Sequence, residues 1–154
     1  MPTPPDEPAG RVRELVERIV ATLGVSGRVE VQDDGETVRA TVGGDDLGLL
    51  IGRHGQTIDA IQHLAVRVAR TDDGPQRRVV VDASGYRDRR EAALHEAADR
   101  AADESLRYGR PIALDAMNAF ERRIVHEYLR ERGGVDTYSE GEDPDRRLVV
   151  APPA

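Results

Sequence analysis

The chain has 154 residues, of which 38% are apolar and 33% charged, and its net charge is −7. These proportions exclude a disordered chain and predict a soluble fold of one domain or two small ones. The negative charge argues against a protein that coats nucleic acid through its overall field, so any polyanion site must be local. Cysteine is absent, which rules out disulfides, thiolate zinc sites and cysteine nucleophiles.

The sequence contains no apolar run of membrane-spanning length and no charged-then-apolar segment at its start. We therefore predict a cytoplasmic protein without membrane insertion. All 22 basic residues are arginine. We interpret this mainly as the codon bias of a GC-rich genome, and the alternative is a preference for the planar guanidinium in phosphate recognition.

The first half of the chain shows a clear series of elements. Residues 1–10 are rich in proline and polar residues, and we predict that they are disordered. Apolar residues at helical spacing predict a helix from Arg11 to Leu23. Two alternating segments, 28–32 and 37–42, predict strands joined by a turn.

A short helix, a glycine loop and a longer helix follow, in residues 47–51, 52–55 and 56–70. Ile58, Ile61, Leu64, Ala65 and Val68 are predicted to form one apolar face of the longer helix. An unbroken apolar run at 78–82 then predicts a strand that is buried on both faces. The predicted order is α-β-β-α-α-β, and we place the first domain at residues 11–83.

A second domain is predicted over residues 84–154. Its first elements are a long helix at 86–108 and a short extended piece at 112–114. A second helix, capped by Asp115 or Asn118, runs to about residue 132, and two strands at 135–139 and 146–150 flank an acidic turn. Asn118 with Glu121 has the spacing of a capping box. The fold class is therefore α+β.

The loop between the two helices of the first domain is the most informative motif. Glycine has no Cβ, so a foreign backbone can approach both ends of the loop, and the following helix directs free N–H groups and a partial positive charge at it. Such a site suits a phosphate chain, and the alternative is an ordinary tight turn. The candidate RNA-binding residues are Gly52, Arg53, His54, Gly55, Gln56 and Thr57.

The first domain contains no aromatic residue before position 86, which counts against recognition by base stacking on a sheet. A clamp on the sugar–phosphate chain needs only aliphatic contacts for the bases. Val42, Ile51 and Ile58 could form such a floor, or they could be ordinary core residues.

A polar stripe on the last helix is the second candidate site. Asn118, Arg122, His126 and Arg130 recur every four residues and therefore share one face. Such a stripe is either a solvated face or a phosphate site in which Arg122 and His126 act together.

No catalytic motif emerges from the sequence. His95-Glu96 and His126-Glu127 lack the second histidine of a zincin motif, and no P-loop or dinucleotide fingerprint is present. We predict a protein that is not an enzyme and that uses no metal and no cofactor.

Two motifs in sequence order resemble the bacterial Jag family, also called KhpB or EloR. Residues 50–64 are similar to the type II KH consensus, and Arg122 to His126 has the Arg-x-x-x-His spacing that names the second domain of that family. Segments 85–87 and 137–147 extend the resemblance. It implies a type II KH domain, a three-stranded sheet with helices on one face, followed by a small α+β Arg-x-x-x-His domain.

The resemblance also implies a function. Its members are single-stranded RNA-binding proteins, linked to post-transcriptional control of cell elongation and envelope synthesis, and they associate with a small single-KH-domain protein. Arg122 and His126 would then hold a second phosphate. Many relatives carry an additional N-terminal Jag domain, which we do not expect here because the sequence begins close to the KH helix. The alternative function, which the charge of −7 favours, is a protein–protein adapter in envelope assembly.

Overall fold

The structure is a computed structural model and describes residues 7–154. Contacts divide the chain into two compact units between Arg87 and Asp88, four residues beyond the predicted boundary. Most of the predicted disordered segment, residues 1–6, lies outside the described residues. Pro8 to Gly10 are helical, so the first helix begins three residues earlier than predicted. Proline is tolerated there because the first turn of a helix needs no N–H from it.

The first unit has the predicted order of elements. They are α1 (Pro8–Leu23), β1 (Arg28–Asp33), β2 (Thr37–Gly43), α2 (Gly48–Ile51), α3 (Gln56–Ala69) and β3 (Arg78–Ala83). β2 is the central strand, antiparallel to β1 and parallel to β3. The type II KH arrangement predicted from the sequence is therefore confirmed.

Alternation along the strands places the core of this unit on one side of its sheet. Val38, Ala40 and Val42 of β2 are fully buried and pack with α1 and α3. The prediction that β3 is buried on both faces is wrong, because Val79 and Val81 are buried while Val80 between them is only half-buried. Leu64 was also misplaced, since 48% of it is exposed on α3.

The second unit contains most of α4 (Tyr86–Tyr108), then β4 (Ile112–Ala113), α5 (Ala119–Arg132), β5 (Asp136–Glu140) and β6 (Arg147–Ala151). The sheet order is β4-β6-β5 with antiparallel pairing throughout. Its core combines apolar faces of α4, α5 and β6, among them Leu94, Ala98, Val125, Leu129, Leu148 and Val150. This is the small α+β unit that the sequence predicts.

The N-terminus of α5 is held by the predicted capping box. The Asn118 side chain accepts a hydrogen bond of 2.8 Å from the Glu121 N–H, and Glu121 accepts one from the Asn118 N–H. Of the two caps left open by the sequence, Asn118 is therefore the one used. Arg90 also donates to Glu121 at 2.8 Å, so this buried carboxylate is both bonded and neutralised.

Candidate nucleic-acid interface

The glycine loop connects α2 to α3 through a single tight turn. Gly52, His54 and Gly55 have φ angles of 75°, 54° and 78°, and Arg53–Gly55 form a 3-10 turn. Two of these three left-handed positions are glycine, the residue that adopts this conformation without a Cβ clash. The third, His54, is held in an unusual backbone conformation at the tip of the loop.

Glycine is required at both positions because any side chain there would collide with a neighbouring residue of the protein. A Cβ on Gly52 would lie 2.2 Å from the Thr57 Oγ1, and one on Gly55 would lie 2.7 Å from the ring and hydroxyl of Tyr86. Gly55 is buried. Our expectation that a foreign backbone approaches both glycines closely is therefore wrong for Gly55, where Tyr86 already occupies that space.

Several amides of the loop are engaged internally. The Gly52 N–H donates to the Gly48 carbonyl at 2.8 Å, and the Gly55 N–H donates to the Gly52 carbonyl at 3.3 Å. The Gln56 N–H, which we expected to be available for a phosphate, donates to the Arg53 carbonyl. These three amides are therefore already bonded within the protein.

The loop presents suitable side chains to solvent. Arg53, His54 and Gln56 are exposed, and Thr57 is half-buried. The structure thus brings all six predicted residues into one turn at the N-terminus of the 14-residue helix α3, but it gives them different parts. The glycines and Thr57 shape the turn, whereas Arg53, His54 and Gln56 form its outer surface.

An acidic residue near this helix end is neutralised. Asp59 lies in the first turn of α3, where its charge alone would repel an anion. The Arg87 Nη1 lies 2.9 Å from the Asp59 Oδ1, and the Arg87 Nε donates to the Val81 carbonyl at 2.8 Å. Arg87 is fixed from both sides, and its positive charge offsets the negative charge of Asp59 while the cationic tip stays exposed.

The predicted aliphatic floor is only partly available. Val42 and Ile58 are completely buried and belong to the core, whereas Ile51 is half-buried. Leu49, which the sequence did not single out, is 61% exposed on α2. The core interpretation was therefore correct for Val42 and Ile58.

The second candidate site is an open cavity of about 370 Å³ between α5 and the β5–β6 hairpin. Its walls include three arginines and a histidine together with small polar residues, namely Arg122, Arg123, His126, Thr137, Ser139 and Arg146. None of the described residues that line it is acidic. In a chain with a net charge of −7, this is a local concentration of positive charge.

Arg122 and His126 share this cavity, but they are held differently. Arg122 is buried, and its Nη1 lies 2.6 Å from the Met117 carbonyl and 3.4 Å from the Asp143 Oδ1. His126 is exposed, and its Nδ1 is hydrogen-bonded to the Thr137 Oγ1. Asn118 and Arg130 do not line the cavity, so the predicted four-residue stripe is not a single site.

Sequence reasoning did not assign several residues of the two sites. Tyr86 and Arg87 contact the glycine loop and the helix that follows it, and Arg123 and Arg146 line the cavity. Arg123 follows directly after Arg122, and a systematic reading of helix faces could have identified it. Tyr86, Arg87 and Arg146 lie in segments that extend the family resemblance, but they reach their sites only through the tertiary fold.

The described part of the chain carries neither a membrane span nor a metal cluster. No helix within residues 7–154 is long and apolar enough to cross a membrane. Within the same residues, no group of three or more histidines and carboxylates is arranged to hold a metal ion.

Two protein-family models match the chain and define the class of protein to which it belongs. Residues 10–82 match the family model described as KhpA/KhpB, KH domain, and residues 92–152 match the family model of the domain named for its Arg-x-x-x-His motif. These matches correspond to the two units of the structure, so the chain joins a KH domain to an Arg-x-x-x-His domain.

Three curated relatives, each named RNA-binding protein KhpB, are similar over most of the chain. The relative from Bacillus subtilis is 32% identical over 94% of this chain and 71% of its own length. The relatives from Lactiplantibacillus plantarum and Clostridium symbiosum are 38% and 34% identical, over 86% and 90% of this chain. The chain spans 41% and 63% of the lengths of these two relatives. It belongs to the KhpB family.

The family assignment bears on the prediction that the chain is not an enzyme. The matched domains are binding modules, and the relatives are named for RNA binding rather than for a reaction. The prediction is confirmed on these grounds.

Proposed function

We propose that the protein binds single-stranded RNA without catalysing a reaction, and that the glycine loop and the α5 cavity both contact the phosphate chain. The supporting comparison is that relatives at 32–38% identity are named RNA-binding proteins. A KH domain holds about four nucleotides along its glycine loop. The observation that carries the proposal is the exposed Arg53–His54 tip at the start of α3, with Asp59 neutralised beside it.

Each part of the loop has a distinct task in this proposal. Gly52 and Gly55 permit the tight turn, and Thr57 packs beneath it. Arg53 supplies charge-assisted hydrogen bonds to phosphate oxygens, and His54 and the exposed Gln56 supply further N–H donors. Because the amides of Gly52, Gly55 and Gln56 are already bonded, affinity should depend on these side chains and on salt.

The cavity lined by Arg122 and His126 supplies a second phosphate contact. Two weak contacts on one chain reinforce each other, because binding at the first raises the effective concentration at the second. On the strength of family membership we further propose a cytoplasmic role in post-transcriptional control linked to cell elongation and envelope synthesis, with a small single-KH-domain protein as partner.

The test of the loop is charge reversal at its tip. We expect Arg53→Asp combined with His54→Asp to weaken binding of a fluorescein-labelled 12-nucleotide oligouridine by at least about tenfold at low salt, measured by fluorescence anisotropy. The matched control is His63→Asp combined with Arg67→Asp. These residues are likewise a histidine and an arginine, and they are exposed on α3, outside the loop. Equal affinities for the two double variants would show that the loop is not the contact.

The test of the cavity uses His126 rather than Arg122. Arg122 is buried against the Met117 carbonyl, so its removal would perturb the fold as well as any binding. His126→Ala removes an exposed side chain and should lower affinity for the same oligonucleotide while the melting temperature stays within a few degrees. Unchanged affinity would remove His126 from the site.

The charge of −7 favours a second function, a protein–protein adapter in envelope assembly that binds RNA weakly or not at all. Purification of the native protein with and without RNase distinguishes the two. Partners retained after RNase treatment, together with no RNA crosslinked to the protein, would support the adapter. Loss of partners and recovery of crosslinked RNA would support RNA binding.

A further inference from the structure

We infer that Arg146 is the principal phosphate-binding residue of the α5 cavity, and that Arg122 is a structural clasp that positions it. This inference rests on the proposed RNA binding and assigns roles within the second contact. The Arg-x-x-x-His spacing does not include Arg146. Two observations identify Arg146: its position in the fold, and the ion pairs that the other two cavity arginines make.

The three cavity arginines differ in whether their charge is already neutralised. Arg122 pairs with Asp143 at 3.4 Å, and Arg123 pairs with Glu127 at 3.1 Å. Arg146 has no carboxylate within ion-pair distance among the described residues, and its Nη1 donates only to the Gly141 carbonyl at 2.9 Å. Among the described residues, Arg146 is therefore the one cavity arginine that no carboxylate pairs with.

Arg122 is poorly placed to be the principal ligand. Only 10% of its side chain is exposed, and its Nη1 is committed to the Met117 carbonyl at 2.6 Å. Turning the guanidinium toward a ligand would leave a buried carbonyl unpaired, which is costly. Its bonds instead connect the segment before α5 to Asp143 in the acidic turn between β5 and β6.

The same connections orient Arg146. The Met117 N–H donates to the Arg146 carbonyl at 3.1 Å. Met117 therefore connects Arg122, which donates to the Met117 carbonyl, to the backbone of Arg146. The bond from Arg146 Nη1 to Gly141 then aims the guanidinium along the turn. A guanidinium has five N–H donors, so one bond to a carbonyl leaves a planar fork for a phosphate.

His126 provides a complementary group in the same cavity. Its bond to Thr137 fixes one ring nitrogen and leaves the other to interact with a ligand. A phosphodiester between Arg146 and His126 would be held by a planar donor fork and an imidazole. The ligand class is therefore a phosphate of single-stranded RNA.

The experiment compares two neighbouring arginines. Arg146→Gln and Arg147→Gln each lower the net charge by one, but Arg147 lies outside the cavity and pairs with Glu140 at 3.0 Å. With the labelled oligouridine, we expect Arg146→Gln to weaken binding about tenfold and to reduce the salt-dependence slope by about 0.7, the value for one lost contact to a single strand. Arg147→Gln should change neither the affinity beyond about twofold nor the slope.

Thermal unfolding separates the clasp from the ligand. Arg122→Gln should lower the melting temperature, whereas Arg146→Gln should leave it within about two degrees of the wild type, because its side chain makes one bond to an exposed turn. If Arg146→Gln does not fold, Arg146→Lys keeps the charge and loses the planar fork. Lower affinity with an unchanged slope in that variant would support the inference, and unchanged affinity would overturn it.

The outcomes distinguish this inference from the proposed function. Wild-type protein that does not bind the oligonucleotide would overturn the proposed RNA binding. Wild-type binding with identical behaviour of Arg146→Gln and Arg147→Gln would overturn the role of Arg146 alone. A salt slope that falls for Arg122→Gln but not for Arg146→Gln would reverse the two roles.

Discussion

The contact between Gly55 and Tyr86 makes a quantitative prediction about stability. In Gly55→Ala the new Cβ would lie 2.7 Å from the Tyr86 ring on a backbone with φ of 78°. The left-handed backbone costs about 1–2 kcal/mol for a residue with a Cβ, and forcing a methyl group against a packed ring costs about 1–3 kcal/mol. The two terms together predict a destabilisation of about 2–5 kcal/mol.

Gly24→Ala is the matched control for the backbone term. Gly24 ends α1 with φ of 68°, and a Cβ there would meet no atom within 4 Å. We expect Gly24→Ala to cost only the backbone term, about 1–2 kcal/mol. The difference between the two variants therefore isolates the steric contribution of Tyr86.

The measurement is hydrogen exchange of the backbone amides of β2, the central strand of the first unit, in the native protein. The free energy of opening at Val38 and Ala40 reports unfolding of the unit that contains both glycines. A double-mutant cycle with Tyr86→Ala should recover about 1–3 kcal/mol of coupling, because removal of the ring relieves the clash. Equal destabilisation by Gly55→Ala and Gly24→Ala, with no coupling to Tyr86, would refute the reasoning.

Three further predictions concern caps, charge and burial. Asn118→Ala should lower the free energy of unfolding by about 1 kcal/mol, since it removes the capping box of α5, and chemical denaturation of the variant checks this. Hydrogen bonds from the N–H groups of Thr37 and Glu36 lower the pKa of Asp34. Its carboxylate therefore stabilises the fold at pH values above the unfolded pKa of about 4, and this contribution is lost as the pH falls through the folded pKa. The difference in melting temperature between wild type and Asp34→Asn should therefore shrink below about pH 4, and a constant difference down to about pH 2 would contradict the assignment. Arg122→Ala should destabilise the protein by about 2–3 kcal/mol through the unpaired Met117 carbonyl, and a loss below about 0.5 kcal/mol in calorimetry would contradict the clasp.

Local periodicity was sufficient to predict most of the fold. The apolar repeat of α1, the alternation of β1 and β2 and the capping box at Asn118 all depend on neighbours within one turn or one strand. The error at Leu64 arose because helical spacing shows the direction of the apolar face but not how wide that face is. Residues at the edge of the face can point either to the core or to solvent.

The sites were harder to predict because their geometry depends on residues distant in sequence. The spacing of Arg122 and His126 placed them on one face of α5, but Arg122 also pairs with Asp143 in a turn 21 residues away. The glycine loop was located correctly, and its cationic tip is exposed. The reason for Gly55 was misjudged because Tyr86, which covers it, lies beyond the last strand of the KH unit.

The position of Tyr86 also determines where the chain can be cut to produce a separate KH domain. The matched KH family model ends at residue 82, and a fragment cut there would lose the ring that covers Gly55 and the guanidinium that neutralises Asp59. Its loop would have an empty space beside Gly55 and would lose the ion pair between Arg87 and Asp59. A titration of this fragment with RNA would therefore measure an altered binding surface. A fragment that extends past Arg87 into α4 retains both groups together with the helix that carries them, and is better suited to measuring the loop in isolation.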